Sequence, residues 1–136
     1  LPVTMHHENG SLSYLRLAYS NDMVTIYAAA DVVVCRAGAS TIAEVSTVGV
    51  CAVIVPWKDA AENHQLVNAK WLTDRGAAVL LEEDSLNAHD FSQLVTELLR
   101  DDDRRSAIAG RARELGAVHR MSSIASAIEN AVKARS

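Results

Sequence analysis

Two clusters in this sequence hold residue types that do chemistry at spacings a fold can use. The first is Arg36-Ala37-Gly38-Ala39-Ser40-Thr41, followed by Glu44. Gly38 lets backbone approach a ligand with no Cβ in the way. Ser40 and Thr41 offer hydroxyls and N–H groups at a helix start, where a phosphate is favoured electrostatically. Glu44, one turn further on, offers a carboxylate to a ribose diol, as the acidic residue of dinucleotide folds does. The same Thr41 and Glu44 also have the spacing of a capping box that needs no ligand.

The second cluster is Glu62-Asn63-His64-Gln65 with Asn68. His64 and Asn68 stand four apart and Gln65 and Asn68 three apart, so both pairs share a helix face. Amides and an imidazole provide the donors and acceptors that sugar hydroxyls need. A plain polar helix start fits this pattern equally. No second His or Cys stands nearby at ligand spacing, so no metal site is expected. No glycine-rich phosphate loop of the GxGxxG or GxxxxGKS type occurs.

Other candidates read as structure. His6-His7-Glu8 is a solvated loop, and His89 and His119 receive no role. Arg100 to Arg105 is a solvated helix junction. Trp57 either lines a cleft or packs. Cys35 and Cys51 are too few for a disulfide framework and are expected as buried free thiols in a reducing compartment.

The elements that must position these residues alternate. Val32 to Cys35 is a continuous apolar run, as in a strand buried on both faces. Ile42, Val45 and Val48 form the inward face of a helix, which Gly49 stops. Ala52 to Val55 is a second strand, ended by Pro56, and Trp57 to Asn63 is a polar loop. Leu66, Ala69, Lys70, Leu72 and Thr73 lie along a helix stopped at Gly76, and Ala77 to Leu81 is a third strand. Three helices follow, over Phe91 to Leu99, Arg104 to Leu115 and Ser123 to Ala134. The start is harder. His6 to Gly10 is a polar turn, and Leu12, Leu15 and Tyr19 recur at helical spacing. Val24-Thr25-Ile26 is either a short strand or part of a helix capped by Asp22.

This order predicts an α/β fold, a Rossmann-like parallel sheet with helices on both faces and a helical C-terminal segment. Ligands then bind beyond the carboxyl ends of the strands. The loops there are Arg36 to Ser40, Pro56 to Asn63 and Glu82 to Ser85, and the first two carry the candidate chemistry.

Length, 136 residues, bounds this to one domain. A net charge of −4 with no basic stripe argues against nucleic acid as a partner. No apolar run reaches a membrane-spanning length. The start at Leu1-Pro2-Val3-Thr4 has neither initiator Met nor signal peptide, and is expected to be the interior of a longer chain.

Several motifs in one order carry a resemblance. Ala28-Ala29-Ala30-Asp31-Val32-Val33-Val34-Cys35-Arg36-Ala37-Gly38-Ala39-Ser40-Thr41 and Glu44, then Val55-Pro56, His64-Gln65, Asn68-Ala69 and Gly76-Ala77-Ala78, together resemble the bacterial N-acetylglucosaminyltransferases that complete lipid II, in glycosyltransferase family 28. The likeness is dense from Tyr27 to Leu81. It implies the C-terminal, donor-binding half of a GT-B fold, an inverting enzyme that needs no cofactor, and UDP-N-acetylglucosamine as ligand. Carried over, Glu44 holds the ribose. Ala39, Ser40 and Thr41 lie against the diphosphate and sugar, with Thr41 near the phosphates, and Arg36 and Gly38 count among the substrate-binding residues. His64 and Gln65 contact the sugar hydroxyls, and Asn68 supports that turn.

The resemblance also implies an N-terminal acceptor domain for lipid I, with a membrane patch and the general base. That domain and the family's glycine-rich loop are missing from these residues, so the chain alone is expected to be inactive. The full protein is expected in the cytoplasm at the inner face of the cell membrane. Family members carry a strand and a loop of roughly Phe-Ile-Asp-Asp-Met against the uracil. Either Tyr19 to Met23 is that loop, with the preceding helix lost, or Val24-Thr25-Ile26 is that strand, with the loop lost. An apolar stripe of Ile124, Ala127, Ile128, Ala131 and Val132 on the last helix suggests self-association. Another GT-B glycosyltransferase, or a non-catalytic sugar-nucleotide-binding module, remains an alternative.

Overall fold

The computed structural model describes residues 3–59, 64–120 and 130–135. Its centre is a three-stranded parallel sheet of β3 (Val33–Cys35), β4 (Ala52–Ile54) and β5 (Val79–Leu80), in that spatial order. Val33 pairs with Ala52 and Val53 with Val79. β4 is central and wholly buried. Its residues alternate between two cores, as a pleated strand requires.

Ala52 and Ile54 face one core with Ile42 and Val45 of α2 (Ala39–Val48) and Ala69 and Leu72 of α3 (His64–Thr73). Val53 faces the other, with Leu98 of α4 (Ala88–Arg100) and Ile108 of α5 (Asp102–Leu115). Each fully buried Val, Leu or Ile contributes about 1.5–3 kcal/mol. The sheet therefore has helices on both faces, as the alternation of the sequence predicts. α6 (Ala117–Arg120) follows directly.

Helix ends follow local chemistry. Gly49 ends α2 in the left-handed region, at φ 74°, and its N–H donates to the Val45 carbonyl. The Asp101 carboxylate accepts from the Arg104 N–H at 2.9 Å and caps α5 at the junction predicted there.

The N-terminal segment corrects one expectation. The helical reading through Leu12, Leu15 and Tyr19 fails, because β1 (Val3–His7) and β2 (Gly10–Tyr14) form an antiparallel hairpin. The turn residues are Glu8 and Asn9. Ser11-Leu12-Ser13-Tyr14 alternates with period two, and Met5 opposite Leu12 with Val3 opposite Tyr14 puts the apolar residues on one face.

α1 (Met23–Ala29) settles a second point. Asp22 caps it, accepting from the Thr25 N–H at 3.1 Å, so Val24-Thr25-Ile26 is helical and not a strand. Of the two placements of the family's strand and loop, the one built on Val24 to Ile26 falls. Tyr19 to Met23 is the stretch leading into the capped helix. The helix expected over 123–134 falls largely on 121–129, outside the described residues, and with it Ile124, Ala127 and Ile128.

Candidate functional site

β3 and β4 end at the same edge of the sheet, and the two polar clusters meet there. The loop after β3 carries Arg36, Ala37 and Gly38. Gly38 is the N-cap of α2, in extended conformation, with no side-chain cap. This overturns the capping-box reading. Thr41 lies inside the first turn and is not the cap, since the first intrahelical bond runs from the Ile42 N–H to the Gly38 carbonyl at 3.0 Å. The opening N–H groups of α2, at Ala39, Ser40 and Thr41, point out of the helix end with the positive end of its dipole. Ala39 and Ser40 are exposed.

Gly38 has an ordinary backbone conformation, φ −60° and ψ 147°. A Cβ built on it would meet only the Thr41 hydroxyl oxygen, at 3.9 Å. Neither strain nor packing inside the protein requires glycine at this position.

Gln65 and Asn68 reach this loop from α3. The Gln65 Oε1 accepts from the Ala37 N–H at 3.2 Å and from the Trp57 N–H at 2.8 Å. The Asn68 Nδ2 donates to the Ala37 carbonyl at 3.0 Å. Two side chains of the second cluster thus hold the backbone of the first, and Gln65 ties in the loop after β4 as well. His64 is exposed at the first position of α3. Glu62 and Asn63 lie outside the described residues.

Glu44 is half-buried, one turn along α2. Its carboxylate neighbours Tyr27 of α1. Burial pushes the Tyr27 phenol up, and Glu44 adds to this by charge and hydrogen bonding.

Sequence reasoning passed over the third loop. Glu83 to Ser85 form a short 3-10 turn after β5. There the Glu83 Oε1 pairs with the Arg36 Nη1, which also donates to the Val55 carbonyl at 3.4 Å. Beside it the Lys58 Nζ pairs with the Asp84 Oδ1 at 2.6 Å. Trp57, exposed, lines a groove of about 160 Å³ with Pro56, Lys58, Leu66 and Glu82 to Asp84. The detectable signal was an acidic run, Glu82-Glu83-Asp84, at a strand end opposite two basic residues on the neighbouring strand ends.

A second groove, about 440 Å³, runs from Val34, Cys35 and Val55 to Leu86, Ala88 and Phe91. Cys35 lines it, and burial pushes its thiol up to about 11. Burial also raises the Cys51 thiol. Both cysteines are free. Among the described residues no group of three His, Cys, Asp or Glu stands together to hold a metal. No described helix is long and apolar enough to cross a membrane.

The chain is similar to proteins of known kind. The profile of the glycosyltransferase family 28 C-terminal domain matches residues 2–128. A UDP-N-acetylglucosamine--N-acetylmuramyl-(pentapeptide) pyrophosphoryl-undecaprenol N-acetylglucosamine transferase of Nitratidesulfovibrio vulgaris (strain DP4) is 44% identical over 99 residues, which cover 73% of this chain and 27% of that protein. The protein of the same name from Burkholderia vietnamiensis is 46% identical over 99 residues, 71% of this chain and 26% of that protein. Among solved structures, Acinetobacter baumannii MurG superposes with a TM-score of 0.66 at 40% identity, over 72% of this chain and 28% of that one. The chain thus spans about a quarter of the length of these relatives. With the matched profile running through the sheet, the α2 loop and the α3 cluster, the chain belongs to the glycosyltransferase family 28 C-terminal domain family.

Proposed function

We propose that this chain is the donor-binding part of an inverting N-acetylglucosaminyltransferase that moves N-acetylglucosamine from UDP to lipid I, forming lipid II for peptidoglycan. The observation that carries the reading is the uncapped start of α2 at the carboxyl end of β3, with Glu44 one turn in. A diphosphate fits the outward N–H groups of Ala39, Ser40 and Thr41, because they carry the positive end of the helix dipole and no side chain of the cap competes for them. The Gly38 backbone lets the diphosphate approach. Arg36 supplies positive charge at the same loop. Glu44 accepts hydrogen bonds from the ribose hydroxyls. His64 and Gln65 face the sugar, and Asn68 holds the Ala37 backbone in place.

The names of the relatives give the substrates of those proteins, and identities of 44% and 46% over most of this chain support bringing UDP-N-acetylglucosamine to it. Lipid I would bind to a domain outside these residues, together with the general base. The complete protein would then work from the cytoplasm at the inner face of the cell membrane. The 136-residue chain alone would bind UDP without turnover.

Calorimetry with UDP tests this reading on the wild-type chain and on Glu44→Ala. Loss of a hydrogen bond to a charged group costs about 1.5–3 kcal/mol, so the variant should bind roughly ten- to a hundredfold more weakly. In the same variant the Tyr27 phenol should fall only part of the way towards its ordinary value, because the burial that raises it most persists while the fold around it is intact. Equal affinity in the two proteins would remove Glu44 from the site.

A further inference from the structure

Arg36 is a long, flexible cation at the mouth of the proposed donor site, and its direction is set from another strand. Its side chain is 54% exposed, whereas that of Glu83 is only 25% exposed. The better-buried carboxylate is therefore the fixed partner. Glu83 is held by the turn after β5, where the Leu86 N–H donates to its carbonyl at 3.0 Å. Both contacts of the guanidinium, to Glu83 and to the Val55 carbonyl, use Nη1. Among the described residues Nη2 and Nε make no hydrogen bond. A guanidinium has five N–H donors in a rigid plane, so anchoring one edge aims the other.

We propose that Glu83 is a positioning residue for the donor site, anchoring Nη1 of Arg36 so that Nη2 and Nε are presented to the anionic diphosphate of a nucleotide. The proposal rests on the donor-site reading given above. Glu83 touches no ligand in this scheme and acts through Arg36. Its own charge is spent on Arg36, and the neighbouring Asp84 is likewise paired with Lys58. The acidic turn therefore presents less free negative charge to a phosphate than its sequence suggests.

The opposite possibility is sharp. If Glu83 merely competed with phosphate for Arg36, removing it would strengthen binding. The test is a double-mutant cycle on the 136-residue chain, with UDP and uridine as the two probes in calorimetry. Glu83→Ala should weaken UDP binding five- to tenfold and leave uridine binding unchanged. Glu83→Gln, whose amide oxygen still accepts from Nη1, should recover part of that loss. In an Arg36→Ala background, Glu83→Ala should have no further effect. Tighter UDP binding by Glu83→Ala, an equal loss for uridine, or the same loss without Arg36 would each overturn the proposal. A wild-type chain that binds neither probe would overturn the donor-site reading itself, and this inference with it.

Discussion

Gly38 is a glycine that neither strain nor a clash inside the protein demands. Its dihedral angles suit any residue, and a Cβ would sit in ordinary contact with Thr41. If the space beyond it belongs to a ligand, Gly38→Ala separates folding from binding. The unfolding free energy should fall by about 1 kcal/mol or less, the difference between Gly and Ala at an N-cap, with no added strain or clash. UDP affinity should fall about tenfold, equivalent to about 1.4 kcal/mol. Denaturation and calorimetry on the same sample check both halves, and unchanged affinity would leave the glycine unexplained. At this scale the sequence was informative where chemistry lay close along the chain. Arg36 to Glu44 announced itself by residue type and spacing. Gln65 and Asn68 were singled out too, but their bonds to Ala37 and Trp57 depend on how α3 docks, which no spacing encodes. Glu83 stood in a visible acidic run, but its partner Arg36 stands on a different strand end, and no spacing links the two.

Between elements, α2 packs closely against the end of α5. A Cβ on Gly116 would come within 2.1 Å of the Ser46 carbonyl oxygen. That neighbour is backbone, so the helices must separate for any larger residue to fit. Gly116→Ala should therefore destabilise the fold by about 1–3 kcal/mol, the usual range for overpacking. A urea titration showing wild-type stability would mean that the two helices slide freely. Element types were legible where apolar periodicity was long, as in α2, or continuous, as in β3 and β4. They were misread where two periods overlapped. Leu12, Leu15 and Tyr19 fit 3.6, and Ser11 to Tyr14 fit 2.0. Pairing with Val3–His7 decided for the strand. The cap of α2 was misplaced because a Thr and a Glu at capping distance looked sufficient, whereas the chain already enters the helix at Gly38.

For the molecule as a whole, the titrating groups with raised values act in one direction. Burial lifts Cys35 to about 11 and raises Cys51 and Tyr27, while Asp84 raises Lys58. An unfolded thiol releases its proton near pH 8.5, while the folded one still holds it. The folded state then binds more protons than the unfolded state, and stability must fall as pH rises through that window. The urea midpoint should be level up to about pH 8 and decline towards pH 10.5, with a shallower decline in Cys35→Ala. A flat midpoint across the window would show that the thiols ionise as easily folded as unfolded.

The single oxygen of Gln65 joins two loops that are distant in sequence, and it gives them one clock. The amide protons of Ala37 and Trp57 are both shielded by the same acceptor. A rotation of that one side chain uncovers them together, so their exchange with solvent deuterium is paced by one event. A ligand that stills one loop should therefore slow exchange at both amides, which hydrogen-exchange measurements on Ala37 and Trp57 would show.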